Sequence, residues 1–363
     1  MNEGGGVLKA AHARMQEGVR GGVFPGGVLC VMREGEVVFS GAYGVCDLDT
    51  RRPVTEETYF DLASLTKPLA TTLAVLRLVQ QGRLDLGQRV GDLLPQWAEA
   101  PGAGIPLAAL LDHSSGLAAW RPYYKDVDLS LPAVRRRQIL TRRLAAEVPG
   151  PSGETLYSDL GFMILCRVVE QVSGLRLDRF AEREIYRPLG IEDLFFIESD
   201  TGAGARPGDY AATEVCAWRG GLVRGRVHDE NAYAAGGIEG HAGLFGNAGA
   251  VGRLLARLTA DYHGAGGGEG FARDLLRRFF TPRRPGGRPL GFDRPDAENS
   301  SSGRFFTPQS VGHLGFTGTS FWMDLPRAVT VVLLTNRIHP TRKNERIRAF
   351  RPLLHDTVMQ DLA

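Results

Sequence analysis

Lysine is nearly missing from this chain: of 43 basic residues in 363, only Lys9, Lys67, Lys125 and Lys343 are lysines. Cysteine is scarce as well. Cys30, Cys46, Cys166 and Cys216 lie far apart, with no C-x-x-C pair and no histidine at a zinc-site interval, so they read as buried free thiols and no metal site is expected. No uninterrupted apolar run approaches the ~18 residues of a membrane-spanning helix. Residues 1–9 hold several glycines but no basic segment leading into an apolar stretch, so they give no export signal, and the expected location is cytoplasmic. Charge of one sign is lacking too. With 41 acidic residues the formal net charge is only +2, which builds no field for nucleic acid or an anionic membrane and leaves a small molecule as the expected partner.

The composition that is present, 43% hydrophobic and 23% charged, is that of a soluble globular protein. Single cores rarely grow far beyond about 250 residues, so this length predicts two lobes with a cleft between them. Apolar runs at 28–32 and 37–39 flank Arg33-Glu34-Gly35-Glu36 and predict an early hairpin, while 328–335 predicts a buried late strand. Helical patterns fill the middle: 64–81 with Gly82 as its stop, 160–172 before Ser173-Gly174, and 177–186 before Pro188. Segments 264–270, 283–288 and 300–303 are rich in Gly, Pro, Arg or Ser and read as loops. No coiled-coil or other repeat sets an assembly state.

Three segments carry chemistry. Ser64-Leu65-Thr66-Lys67 opens a predicted helix, and the i, i+3 spacing puts hydroxyl and amine on one face a turn apart. A serine hydroxyl needs a neighbouring base, and a desolvated lysine can be one, whereas arginine, with a pKa above about 12, cannot. From 14 serines and four lysines chance supplies roughly 0.15 such strings. Pro68 cannot donate to the Ser64 carbonyl, so irregularity is expected in that first turn. Tyr157-Ser158-Asp159 follows a Pro/Gly-rich loop and opens the second helix. Alone, Tyr157 reads as an anchor for a helix start. Beside a serine and lysine it reads as a proton relay. The third segment, His313-Leu314-Gly315-Phe316-Thr317-Gly318, is a hairpin composition that also lets a backbone NH approach a substrate.

In this order S-x-x-K, Y-x-(N/D) and H-x-G resemble the motif set of class C beta-lactamases, DD-peptidases and their esterase relatives, the penicillin-binding-protein-like serine hydrolases. Segments 58–63, 110–117 and 237–245 are similar to that family too, so the resemblance spans nearly the whole chain. It implies an α/β (α+β) fold of the beta-lactamase/transpeptidase type: an antiparallel sheet flanked by helices in a lobe built from both chain ends, 1–61 and 300–363. A mostly helical lobe, 62–299, would be inserted, with the active site in the cleft. It further implies that Ser64 is the acylated nucleophile, that Lys67 and Tyr157 share the proton transfers, and that the Ser64 and Phe316 amides form an oxyanion hole. Asp159, His313, Gly315, Phe316 and His241 would contact substrate, and no cofactor is implied.

Two departures narrow the expectation. His313-Leu314 stands where penicillin-binding members carry Lys-Thr, which removes a permanent cation and a hydroxyl and disfavours penicillin hydrolysis. Asp159 stands where many members have asparagine, and a carboxylate beside Lys67 favours the ammonium and moves the base role toward Tyr157. His228-Asp229-Glu230 has no zinc spacing and reads as structural hydrogen bonding, and His113 reads as a buried structural histidine. The expected function is hydrolysis of a small ester, amide or peptide through an acyl-enzyme. The rival is a non-catalytic ligand-binding or sensor protein on the same fold, against which the intact Ser64, Lys67 and Tyr157 argue.

Overall fold

Glu34 and Gly35 both take positive φ, 55° and 88°, which is the geometry of a two-residue hairpin turn whose twist matches that of the flanking strands. In the computed structural model, which describes residues 8–363, this turn joins β1 (Gly26–Arg33) to β2 (Glu36–Gly44). The reading of residues 1–9 as lacking an export signal falls almost wholly outside the described residues. Three late strands, β3 (Val311–Leu314), β4 (Ser320–Asp324) and β5 (Val329–Thr335), complete an antiparallel sheet in the order β2-β1-β5-β4-β3. The central pairing matches Gly27 with Thr335 through Arg33 with Val329, so the two ends of the chain are hydrogen-bonded to each other along a full strand.

Period-2 alternation assigns the two faces of this sheet. Leu29, Val31, Val331 and Leu333 pack under α1 (Lys9–Arg20) and α5 (Ile347–Asp361), together with Met15, Phe350 and Leu354. Val28, Cys30, Met32, Val332 and Leu334 face the other way, into the large core that includes Val251, Leu254 and Leu255 of α4 (Ala248–His263). α4 lies inside the segment read as the helical middle, yet it packs on the sheet. A Cβ on its Gly252 would come within 2.9 Å of Met32 Sδ.

The remaining middle is helical around α2 (Leu73–Gln80) and α3 (Asp159–Ser173). Ser158 caps α3 by accepting from Gly161 N, and Gly174, at φ 74°, ends it in the left-handed region. The helix expected over 64–81 is three pieces: a 3-10 turn Ala63–Leu65, a π-helical stretch Lys67–Thr72, and α2. Pro68 supplies the reason, because without an N–H it cannot close the α-helical bond to Ser64 O and the ladder re-registers beyond it. All four cysteines are buried and free. No helix among the described residues is long and apolar enough to cross a membrane.

Candidate active site

The turn that presents Ser64 is held from three directions. Asp61 Oδ1 accepts from Ala63 N at 2.9 Å and its Oδ2 accepts from His228 N at 2.6 Å. Thr66 Oγ1 donates to Ala63 O at 2.6 Å and accepts from Leu244 N at 3.0 Å. Phe60–Asp61 pairs with Leu244–Gly246, itself paired with Leu194–Phe196, and this small sheet floors the turn. Ala63 takes φ 48°, a conformation costly for a residue with a Cβ, directly before the serine.

Lys67 is fully buried, and its Nζ donates to Ser64 Oγ at 3.1 Å and to His241 O at 3.2 Å. Asp159 Oδ1 lies 2.6 Å from the same Nζ. Burial alone would lower the lysine pKa, but Asp159 and Tyr157 outweigh it and leave Lys67 above its ordinary value, a buried ammonium. Tyr157 packs against Lys67, whose Nζ lies 4.9 Å from its ring centroid, and lines the same cavity as Ser64. Burial pushes its phenol up, the ammonium pulls it down, Asp159 pushes it up again, and the net direction is upward. The resting site therefore holds a neutral phenol beside a charged amine.

Tyr157 is framed by rings. His113 lies 4.5 Å away between centroids and His313 5.9 Å. His113 Nδ1 accepts from Ser158 N at 3.0 Å, which fixes the tautomer with the proton on Nε2. Burial holds both histidines well below their ordinary pKa, with the positive charges of Lys67 and Arg288 acting in the same direction. His313 is 2% exposed. Arg288, from a loop that carries no motif, lies over the Tyr157 ring at 5.4 Å and pairs with Asp293 at 3.2 Å. Its buried Nη1 has no hydrogen-bond partner among the described residues.

Ser64, Tyr157, Asp159, His241 and Phe316 line one cavity of about 320 Å³, so five of the residues singled out by sequence meet there. His313 packs beside Tyr157. Gly315 has a different place: its N–H is bonded to Thr319 O, and a Cβ on it would sit 2.0 Å from Thr319 Oγ1, so it serves a close backbone approach. Among the described residues, neither Ser64 N nor Phe316 N donates to a backbone acceptor outside the helices and strands. His241 Nε2 pairs with Asp229 Oδ1 at 2.9 Å.

Sequence reasoning missed the far wall, built by Trp120, Glu230 and Arg342. Arg342 binds Glu230 at 2.6 Å and Glu214 at 2.6 Å, while His228 binds Glu214 at 2.9 Å and stacks on the Phe316 ring at 5.7 Å. The triplet His228-Asp229-Glu230, read as structural, is thus hydrogen-bonded and also faces the cavity. Among the described residues no group of three or more His, Cys, Asp or Glu is arranged to hold a metal ion. What the arrangement can do is acyl transfer: a hydroxyl nucleophile, an amine–phenol pair to move its proton, and free amides beside it.

A family model described as Beta-lactamase matches residues 11–354. The Escherichia coli (strain K12) protein named "Putative D-alanyl-D-alanine carboxypeptidase" is 31% identical over 352 residues, covering 87% of this chain and 79% of that protein. A protein of the same name from Salmonella agona is 30% identical over 359 residues, covering 89% and 81%. Of solved structures, EstCE1, a hydrolase with promiscuous acyltransferase activity, superposes with a TM-score of 0.72 at 23% identity, covering 96% of this chain and 99% of that one. A class C beta lactamase from Rhodobacter sphaeroides does so with a TM-score of 0.68 at 19% identity, covering 98% and 100%. The two structural likenesses speak for the mixed α/β fold alone; the family match over nearly the whole chain and the 31% identical relative show that this chain belongs to the Beta-lactamase family.

Proposed function

We propose that the protein is a serine hydrolase that cleaves a small amide or ester through an acyl-enzyme on Ser64, with a short peptide bearing a free carboxylate as the favoured substrate. The observation that carries the reading is Ser64 Oγ held 3.1 Å from a buried lysine, at the wall of a cavity that also contains Tyr157. Family membership and the relatives' names support hydrolase chemistry of this type, and the carboxypeptidase name favours a peptide. Arg288 supports the carboxylate: position 313 has lost the lysine of penicillin-binding members, but a permanent cation with an unpartnered Nη1 lies against Tyr157.

In the proposed reaction Ser64 Oγ attacks the carbonyl and its proton passes to Tyr157, whose anionic form Lys67 stabilises. The Ser64 and Phe316 amides bind the oxyanion. Tyr157 returns the proton to the leaving amine or alkoxide, and the same pair then deprotonates the water that releases the acid. Asp159 keeps Lys67 charged, so Lys67 acts as the cation of the pair and Tyr157 as the base. Because phenol and ammonium both hold their protons at rest, one proton must leave the pair before attack.

The test is intact-protein mass spectrometry after incubation with a fluorophosphonate, a p-nitrophenyl ester and a penicillin, with Ser64→Ala in parallel. One adduct per chain and ester turnover, both lost in Ser64→Ala, is the expected result. Turnover that survives Ser64→Ala, or a wild-type serine that no reagent labels, overturns the reading.

A further inference from the structure

The turn that carries the Phe316 amide is tied down on every side. Gly315 N donates to Thr319 O at 2.7 Å, and Gly318 N donates to Gly315 O at 3.0 Å. The second bond aims the amide, because Gly315 C=O and Phe316 N–H belong to one planar peptide unit. The next peptide unit is gripped by Arg337, whose Nε and Nη2 both donate to Phe316 O, at 2.9 and 2.6 Å. Thr317 Oγ1 donates to Asp61 O at 2.8 Å and Thr319 Oγ1 to Leu62 O at 3.1 Å. Those two bonds fasten this turn to the residues just ahead of Ala63 and Ser64. The Ser64 and Phe316 amides are therefore parts of one braced unit, although they are far apart in the chain.

Arg337 is the unusual member of the brace. It is only 8% exposed, and its remaining hydrogen bonds, from Nη1, go to Arg342 O and Asn344 O at 3.2 and 2.8 Å. Every acceptor it uses is a backbone carbonyl. Burying a guanidinium on neutral acceptors is costly, and a hairpin turn closes without one. The planar fork also lies over the Phe316 ring, 4.8 Å from its centroid, so it constrains the residue at both carbonyl and side chain. Lysine, a single-point donor, cannot reproduce a two-donor grip on one oxygen.

We propose that Arg337 is a positioning residue for hydrolysis: it locks the Phe316–Thr317 peptide so that the Phe316 N–H stays aimed at the oxyanion formed when Ser64 attacks. This rests on the acyl-enzyme reading above. A donor of that kind acts chiefly in the transition state, so loosening it lowers kcat and leaves KM nearly unchanged, which a general packing defect does not do selectively.

The experiment compares Arg337→Ala and Arg337→Lys with wild type in hydrolysis of a p-nitrophenyl ester, with melting temperature and the rate of Ser64 labelling by a fluorophosphonate measured alongside. Arg337→Ala is expected to lose about 10²-fold in kcat, the usual order for an oxyanion donor, with KM within about threefold. Arg337→Lys should lose roughly tenfold, and added guanidinium at tens of millimolar should restore Arg337→Ala several-fold. Labelling should slow by the same factors as kcat. A kcat within threefold of wild type in a variant of native melting temperature, or a loss confined to KM, overturns the proposal. If Arg337→Ala does not fold, Arg337→Lys decides by the same split. Turnover indifferent to Ser64→Ala defeats the acyl-enzyme reading and this inference with it, whereas turnover that needs Ser64 but not Arg337 defeats the positioning role alone.

Discussion

Replacing Asp159 by asparagine removes a charge and little else, which makes it the sharpest probe of how the site handles protons. The carboxylate lies 2.6 Å from Lys67 Nζ. Against burial, which lowers Lys67, it raises the lysine; on top of burial, it raises Tyr157. In the proposed reaction the active form has lost one proton from this pair, so a residue that raises both groups holds the enzyme in its slow form near neutral pH. Below its pKa a group's deprotonated fraction grows tenfold per pH unit, so wild-type kcat/KM should climb from about pH 6 to about pH 9 without a plateau. A charge within ~4–6 Å moves a neighbouring pKa by about one to three, so the rising limb of Asp159→Asn should lie that far toward acid, with kcat/KM at pH 7 at least ~10-fold above wild type. Asp159 also opens α3, where a carboxylate favours the helix by ~0.3–1 kcal/mol, and it is the ion-pair partner of the fully buried Lys67, so melting temperature is measured alongside to separate a stability loss of up to about 3–5 kcal/mol from the shift of the limb. The assay is kcat/KM for a p-nitrophenyl ester across that range at fixed ionic strength. A limb that stays in place or moves toward alkali refutes the reasoning.

Two further outcomes are expected. Glu239 is fully buried and receives Arg167 Nη1 at 3.1 Å and Arg137 Nε at 3.4 Å; Arg137 keeps Glu170, but Glu239→Ala leaves the Arg167 guanidinium without a carboxylate and should lower the unfolding free energy by about 3–5 kcal/mol in urea titration. Asp229, Glu214 and Glu239 are each raised by burial but pulled further down by His241, by His228 with Arg342, and by Arg167 with Arg137; their net pKa values lie below the ordinary carboxylate range. Depressed carboxylates stabilise the fold above their unfolded pKa and lose that contribution as pH falls through the folded value. Calorimetry from pH 6 to pH 3 should show a falling melting temperature, with a shallower fall in Asp229→Asn.

What could be read in the sequence was whatever is local. Ser64 and Lys67 are three apart, so one turn of any helical type brings them together, and the reading survives the change from α to 3-10 and π geometry. Tyr157 and Asp159 sit at a helix start that Ser158 and the preceding loop announce. The hairpin at Glu34-Gly35 and the buried run of β5 declare themselves by turn chemistry and by hydrophobicity. What could not be read depends on pairs distant in the chain. α4 shows an apolar face, but amphipathicity says only that a face is buried and not what covers it, so its place on the sheet was invisible. The floor under Ser64 consists of strands two or three residues long, too short to show any period. Arg342 and Glu214 meet across 128 residues and Arg337 grips Phe316 across 21, and in a chain so rich in arginine neither of the two arginines stands out.

The loss of lysine at position 313 shows why a motif position and a cavity are different things. From the string alone, His313 removes a permanent cation, and the inference that an anionic substrate loses its anchor follows. In the fold, however, Arg288 comes from a loop without periodicity to lie over the Tyr157 ring, on which Lys67 also bears at 4.9 Å. Two permanent cations thus flank the phenol. A third positive charge at 313 would face both, and His313 avoids this because burial, together with Lys67 and Arg288, keeps its imidazole neutral. His113 is neutral for the same reasons, and its Nδ1 is tied to Ser158 N. The two histidines therefore wall Tyr157 with uncharged rings while Lys67 and Arg288 supply a positive field that, in the proposed reaction, favours a tyrosinate and a substrate carboxylate. On the proposed reading, Arg288 in the loop takes the part that a lysine at 313 would have, so the expectation drawn from position 313 applies to where a substrate carboxylate is held and not to whether it is held.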